Sequence, residues 1–309
     1  MEYAGYRLSF KQGVHFGSTT VESAEMTFGA DRLFSALCQE AVSAGEDKLA
    51  ELYGLAEKGA LLLSDAFPYL GAEYYLPKPL LRIQVKGRET DARERKKYKK
   101  LSYVPLKEFD AFVAGAADID ALGKQEFGER KVKTSVNLWG EEATPYRIGT
   151  YNFSVENDGG LYILVGWQDK KTKFLLEELL DMLSFSGLGG RRSSGLGRFE
   201  LHKADLPKAF LERLEAETGF YMNLSVALPK DEEMSEALEG ARYLLAKRSG
   251  FIASERYADE PHRKRDIYAF QAGSCFRKKF CGQIADVSAP FGKHPVYRYL
   301  KPIWMGIRP

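Results

Sequence analysis

Twelve consecutive residues carry the densest chemistry in the chain: Gly187-Leu188-Gly189-Gly190-Arg191-Arg192-Ser193-Ser194-Gly195-Leu196-Gly197-Arg198 holds five glycines, three arginines and two serines. Glycine admits positive φ and close backbone approach, so successive amides can converge on an anion. Arginine adds bidentate phosphate contacts and a flat face that stacks on unpaired bases. A Walker loop or a Rossmann fingerprint runs from strand into helix, whereas this segment leaves a helical pattern and enters a strand-like one, and the Gly-Lys-Ser/Thr ending is missing. Nucleotide hydrolysis and dinucleotide binding are therefore disfavoured, and the natural ligand is a nucleic-acid backbone. The plain alternative is a glycine-rich helix cap leading into a tight turn.

Other residues could do chemistry on their own. Imidazole titrates in the range useful for general acid/base cleavage of RNA, which makes His15 the best catalytic candidate. One histidine is not a mechanism, and His202, His262 and His294 have no partner at metal or dyad spacing. A binding or packing role for His15 is the preferred reading. Asp31 offers a nuclease carboxylate, but its place two residues before Leu33 and Phe34 predicts a helix N-cap. The run Arg93 to Lys100 has the density to neutralise several phosphates, with Tyr98 available to stack. Arg263-Lys264-Arg265 and Arg277-Lys278-Lys279 are candidates on the same footing, although the neighbouring Tyr268 and Phe276 also fit a core. Cys38, Cys275 and Cys281 are too few and too irregular for a disulfide framework or a metal site, and a reduced cytoplasm fits them best. No cofactor is implied.

The elements that must position these groups follow from periodicity. Tyr3 to Phe10 alternates like a half-buried strand, and Gly29 to Ala44 has helical apolar spacing. Leu61 to Leu70 and Tyr74 to Val85 predict strands. Gly87 to Thr144 shows no sustained period and reads as a basic, partly mobile insertion on a folded core. Tyr146 to Val155 and Gly160 to Trp167 predict a hairpin turned by Glu156-Asn157-Asp158-Gly159. Lys171 to Phe185 predicts an amphipathic helix, and Gly195 to His202 a strand. That order is ferredoxin-like. After Pro207 an abbreviated copy is expected: a strand at Phe220 to Leu228, an acidic helix at Asp231 to Leu238 facing solvent or a subunit, and strands at Leu244 to Ile252, Ile267 to Phe270 and Pro295 to Leu300. The fold class is thus α+β, with two ferredoxin-like (RRM-like) units, 1–206 and 207–309, antiparallel sheets and helices on one face.

With 309 residues, 44% hydrophobic and 28% charged, the chain can bury about two such cores. The net charge of +2 announces no nucleic-acid binder, but its distribution does. Arg82 to Lys100 holds nine basic against three acidic side chains, Pro261 to Pro309 ten against two, and Glu200 to Gly240 four against ten. Such segregation suits one anionic partner and a separate acidic face. The longest apolar runs, such as Leu161 to Val165, are too short for a membrane span.

The spacing G-x-G-x(5)-G-x-G over Gly187 to Gly197, with arginine and serine inside, resembles the signature loop of the RAMP proteins of CRISPR systems. Val14-His15-Phe16-Gly17, followed by Gly29-Ala30-Asp31-Arg32-Leu33-Phe34-Ser35-Ala36-Leu37-Cys38, is similar to the amino-terminal pattern of the Csm-type subunit of type III-A complexes that caps the guide's five-prime tag. Pro295-Val296-Tyr297-Arg298-Tyr299-Leu300-Lys301-Pro302 resembles that subunit's closing strand. The resemblance implies a groove for the repeat-derived tag of the crRNA, and no cleavage activity. It implies as partners the large polymerase-like signalling subunit and the backbone RAMP subunit, with no membrane and no small-molecule substrate. It also implies a thumb hairpin, placed at Lys131 to Tyr151.

The residues assigned to RNA are His15, Gly17, Arg32, Arg147, Thr150, Gly187, Gly189, Gly190, Arg191, Arg192, Ser193, Ser194, Gly195, Gly197 and Arg198. Arg93, Arg95, Lys96, Lys97, Lys99, Lys100, Lys131 and Lys133 are further candidates; none is assigned as catalytic. Two alternatives stay open: a metal-independent guide-processing endoribonuclease using His15, and a protein-interaction scaffold without RNA contact.

Overall fold

The computed structural model describes residues 1–17, 20–83, 92–137, 144–254, 257–258, 260, 262–290 and 292–308. Strand β1 (Glu2–Ser9) leads to helices α1 (Ala30–Ala44) and α2 (Glu46–Glu57), then to strands β2 (Leu61–Leu63), β3 (Phe67–Leu70), β4 (Glu73–Pro77) and β5 (Tyr103–Pro105). A long ladder of β6 (Gly128–Asn137) and β7 (Thr144–Phe153) follows, then β8 (Gly159–Trp167), α3 (Lys170–Ser186) and β9 (Glu200–Ala204). The main sheet is ordered β9-β1-β8-β3-β4-β5, with β2 also on β8, and its ladders are antiparallel. Fourth strand beside first, first beside third, third beside second is the split-βαβ order of a ferredoxin-like unit.

Packing explains why this order closes. Leu33, Phe34, Leu37 and Ala41 of α1 and Leu175, Leu179 and Leu183 of α3 cover one sheet face, against Leu8, Leu161, Ile163 and Val165. Each of the leucine, isoleucine, valine and phenylalanine side chains contributes about 1.5–3 kcal/mol by leaving water. The two helices therefore have to share that face.

Strand β8 is buried at every position and has both edges occupied, by β1 on one side and by β2 and β3 on the other. The hairpin expected from 146–155 and 160–167 therefore does not form. Both strands and their turn exist, with Asp158 at φ 46°, but β7 pairs instead with β6. The strand expected from Gly195 begins only at Glu200, because Arg192–Ser194 forms a 3₁₀ turn.

The segment expected to be an insertion also contributes to the core. Strand β5 pairs with β4, and Phe109, Phe112 and Leu122 are buried beside Phe67, Tyr74 and Leu164 on the other sheet face. Its apolar residues sit in elements too short to show a period, Phe109–Val113 and Ile119–Leu122.

In the carboxy-terminal half, β10 (Tyr221–Asn223) is flanked by β11 (Cys275–Phe276) and β12 (Trp304–Gly306), and Arg242 bridges to Cys275. With helix α4 (Asp231–Leu238) this repeats the strand order of the first half. Between β11 and β12 the described residues form the hairpin Gln283–Asp286/Tyr297–Leu300 where a second helix would lie. The strand expected to run to Leu228 stops at Asn223, because Ser225 turns its hydroxyl inward. Ser225 Oγ donates to the Leu63 carbonyl at 2.8 Å and accepts the Ile303 amide at 3.0 Å. The Leu63 amide donates to Tyr299 Oη at 3.0 Å, so both halves meet along β2.

Candidate nucleic-acid interface

Helix α3 ends where Gly187 takes φ 83° and returns its amide to the Leu183 carbonyl. From there the loop is stapled to the segment after β1. Gly190 N–H donates to the His15 carbonyl at 2.9 Å, Gly197 N–H to the Gly13 carbonyl at 3.3 Å, and Leu188 N–H to the Gly197 carbonyl at 2.9 Å. The glycines are required by contact: a Cβ on Gly189 would stand 2.7 Å from the His15 carbonyl oxygen, and one on Gly197 would overlap the Leu188 carbonyl oxygen. Arg191 itself lies in the left-handed region at φ 61° and opens the 3₁₀ turn. Among the described residues, the amides of Arg191, Arg192 and Ser193 have no acceptor. Three successive donors without an acceptor, starting at a left-handed residue, are the kind of backbone from which an anion nest is built.

Among the described residues, no carboxylate pairs with the loop arginines. Arg191 lies over the Tyr146 ring, 5.0 Å from its centre, and donates to its hydroxyl at 3.3 Å. Arg192 donates to Gln39 Oε1 on α1 at 3.0 Å. Arg198, Ser193 and Ser194 are exposed, and Arg198 makes no ion pair with the described residues. Tyr146 and Gln39 were not singled out from sequence; neither has a local signature, since each matters only through the loop that folds onto it.

His15 is buried, and its Nδ1 lies 2.7 Å from the Gly149 carbonyl. A carbonyl only accepts, so Nδ1 carries the proton. The ring packs on Gly190, where a Cβ would stand 2.8 Å from Cδ2. His15 thus joins the loop to β7, and the adjacent Val14 exchanges two backbone hydrogen bonds with Tyr151. On β7, Arg147 is exposed, whereas Thr150 is buried, with its Oγ1 accepting from Asn152 at 3.2 Å. Lys133 is exposed on β6, and Lys131 pairs with Glu129 at 2.6 Å. The β6/β7 ladder occupies the stretch expected of the thumb, with Val132 and Val136 exposed.

Asp31 is not an N-cap. Gly29 holds that position, and Asp65 Oδ1 supplies the cap from 35 residues away, accepting Ala30 N–H at 2.8 Å as well as Val226 N–H at 2.8 Å. Burial pushes the Asp65 carboxyl up to about 6, against the lowering pull of those two amides. Asp31 is buried between Arg248, at 3.0 and 2.5 Å, and Arg298, at 2.5 Å. Burial alone would raise its pKa, but the two guanidiniums outweigh that and hold it below the usual range. The missed signal was remote: arginines more than 200 residues away in sequence. Arg32 reaches outward, donating to the carbonyl of exposed Gly17 at 3.2 Å.

The other basic runs are not brought to the loop. The helix Ala92–Lys100 packs through Tyr98 on Phe112, part of a different core cluster from the one that holds Leu188. Lys96, Lys97, Lys99 and Lys100 are exposed, Lys97 pairing with Asp120; the side chains of Arg93 and Arg95 lie outside the described residues. Lys278 pairs with Glu236 at 2.7 Å and Lys279 with Glu217 at 2.7 Å, so this basic run faces the acidic surface that includes α4. Arg263 and Arg265, by contrast, line an open pocket with Lys293 and His294. Among the described residues no cluster of three His, Cys, Asp or Glu side chains is placed to hold a metal ion, and no helix is long and apolar enough to cross a membrane.

Residues 216–307 match the family model described as CRISPR Csm4 C-terminal domain. The chain is 39% identical over 306 residues to the "CRISPR system Cms protein Csm4" of Mycobacterium tuberculosis (strain ATCC 25618 / H37Rv), across 98% of this chain and 97% of that one. It is 37% identical over 312 residues to the protein of that name from Streptococcus thermophilus, across 98% of both. It superposes with a TM-score of 0.69 at 20% identity, over 100% of both chains, on a chain of the "Csm3-Csm4 subcomplex in the type III-A CRISPR-Cas interference complex". The match to a chain of the "Csm1-Csm4 cassette in complex with cA4" has a TM-score of 0.62 at 20% identity, over 99% of this chain and 98% of that one. At such identity the superpositions establish a shared fold.

Proposed function

The chain belongs to the Csm4 family, as a type III-A Csm subunit, and on that premise we propose that it binds the repeat-derived five-prime tag of crRNA without cutting it. The observation that carries this reading is the triplet of amides at Arg191, Arg192 and Ser193 that find no acceptor among the described residues, set among arginines that no carboxylate of those residues neutralises. The chain would consist of two ferredoxin-like units, 1–206 and 207–309, working in the cytoplasm. Its partners would be those of its relatives: a Csm1-type large subunit beside the tag and a Csm3-type backbone subunit along the guide. The β6/β7 ladder is the proposed thumb at the tag boundary. His15 is a positioning residue here, since its ring lies between Gly149 and Gly190 and, among the described residues, no hydrogen bond or ion pair joins it to a second titrating group.

Purified chain incubated with labelled repeat RNA in chelator should bind without cleavage. Specific cutting lost in His15→Ala would establish the ribonuclease alternative instead. Binding by the assembled complex that is unchanged in an Arg191→Ala/Arg192→Ala/Arg198→Ala variant would make the chain a scaffold.

A further inference from the structure

In the carboxy-terminal half, Leu244, Leu245, Phe251 and Tyr268 are each about half exposed, and all four lie on the antiparallel ribbon Leu245–Arg248/Ile267–Phe270 or on its extension. Tyr243 comes two residues before Leu245, with its ring 4.7 Å from that of buried Phe270. Phe270 stands opposite Leu245, and Tyr268 opposite Lys247. Opposed residues of a ladder project to the same side, so Tyr243, Leu245 and Tyr268 share one face. Large apolar side chains gathered on a surface mark an interaction site.

The backbone under these side chains is open on one side. Phe270 donates to the Ala227 carbonyl at 2.8 Å and accepts the Ala227 amide at 3.0 Å, so its polar groups turn away from Leu245. One step along, Gln271 donates to the Leu244 carbonyl at 2.9 Å, as the alternation of an antiparallel ladder requires. Leu245 and Lys247 therefore aim their amides out of the ribbon, and among the described residues neither amide has an acceptor. The Leu245 carbonyl takes the Gln271 side chain at 3.3 Å. A lysine on an edge strand ordinarily repels an incoming strand, but Lys247 is drawn back onto Asp266 at 2.7 Å. Such an edge is a template for one more strand.

Charge selects the occupant. Arg248 turns inward to Asp31, and Asp266 is taken by Lys247. Arg242 is exposed just before the ribbon, and Arg263 covers the Phe251 ring at 5.1 Å; no carboxylate of the described residues pairs with either. The edge thus combines apolar side chains, free amides and surplus positive charge. A second copy of the chain would set like charges against each other, because Leu245–Arg248 holds Lys247 and Arg248 and no acid. A nucleic acid would leave Leu244 and Leu245 without a use, since leucine neither stacks on a base nor binds phosphate.

We infer that Leu245–Arg248 is a docking edge for an extended segment of another protein, one with two apolar residues at alternate positions and carboxylates at its ends. The incoming strand accepts hydrogen bonds from the Leu245 and Lys247 amides, lays its apolar pair on Tyr243 and Leu245, and brings a carboxylate to Arg242. The inference does not depend on the glycine loop being an RNA site.

The probe is a blocked, fluorescein-labelled heptapeptide, Asp-Glu-Val-Thr-Val-Glu-Asp, titrated against the full chain by fluorescence anisotropy, with an analogue carrying lysine for every acid as control. The acidic peptide should bind and the lysine analogue should not. Lys247→Pro removes an outward amide that the ribbon does not use and should weaken binding several-fold with the thermal midpoint retained. Leu245→Asp should weaken it as well, by repelling the acids; it decides the matter if Lys247→Pro melts early. No binding up to the millimolar range, equal binding of the two peptides, or an affinity unchanged in Leu245→Asp would overturn the inference. So would a dimer of the parent chain, seen by sedimentation, that Leu245→Asp abolishes, since it would assign the edge to a second copy. Displacement of the bound peptide by a single-stranded oligoribonucleotide would assign the edge to RNA instead.

Discussion

Asp31 Oδ2 and Arg298 Nη1 stand 2.5 Å apart across 267 residues of chain, in a site where both side chains are buried. Arg248 grips the same carboxylate from a third segment. This is the electrostatic centre of the seam between the halves, and it replaces the local helix cap that the position of Asp31 suggests.

Removing that carboxylate should leave the buried Arg298 guanidinium and the half-buried Arg248 guanidinium uncompensated. Asp31→Ala is expected to cost about 3–5 kcal/mol of unfolding free energy in urea, against less than about 0.5 kcal/mol for Lys96→Ala on the exposed helix. A loss no larger than that of the surface control would mean the triad is solvated in solution.

Asp65 sets a pH dependence of opposite sign to that of an ordinary paired carboxylate. Its folded pKa is raised to about 6, above the unfolded value near 4, so the folded state holds the extra proton between those limits. Its contribution is present at low pH and is lost as pH rises through about 6. Stability of the parent relative to Asp65→Asn should therefore fall by about 2–3 kcal/mol from pH 4 to pH 7 and then level off. A difference that stays flat over that range contradicts the burial.

The loop arginines should act as phosphate contacts rather than as fold determinants. Each of Arg191→Ala, Arg192→Ala and Arg198→Ala is expected to lower the salt slope of RNA binding by up to about 0.7, with the thermal midpoint little changed. Variants that melt early yet keep the slope would assign the arginines to the fold.

The glycines divide by what surrounds them. Gly197→Ala meets the Leu188 carbonyl at φ 78° and should cost stability by about 1–3 kcal/mol, together with RNA affinity. Gly17→Ala, outside the loop and with nothing within 4 Å of the added Cβ, should leave the thermal midpoint unchanged. Equal behaviour of the two in a thermal melt would show that the loop relaxes freely.

How much of this was legible follows from the reach of each interaction. Helices α1 and α3 show in the apolar spacing, because a helix buries one face by local periodicity, whereas α4 shows only as a short acidic run and buries Ala237 alone. The glycine loop shows because positive φ at Gly187, Gly189, Gly195 and Gly197 demands a residue type that can be read directly. Strand pairing is not local: the turn at Asn157 and Asp158 is genuine, yet β7 and β8 part because the middle of the sheet claims both edges of β8. Phe109 and Phe112 look like scattered aromatics until β5 brings them under the sheet. Gln39 joins the site only once Arg192 folds onto it.

The hydrogen bond from Leu63 to Tyr299, and the packing of the Tyr299 ring on Phe34 at 5.4 Å, have a consequence for biosynthesis. A nascent polypeptide emerging from the ribosome cannot make the contact between Leu63 and Tyr299 until translation has passed Tyr299, some 236 residues later. Products that stop short of Tyr299 would leave Phe34 and Leu63 without these contacts, open to chaperones and proteases, so stable molecules would be those that carry the Tyr299 strand.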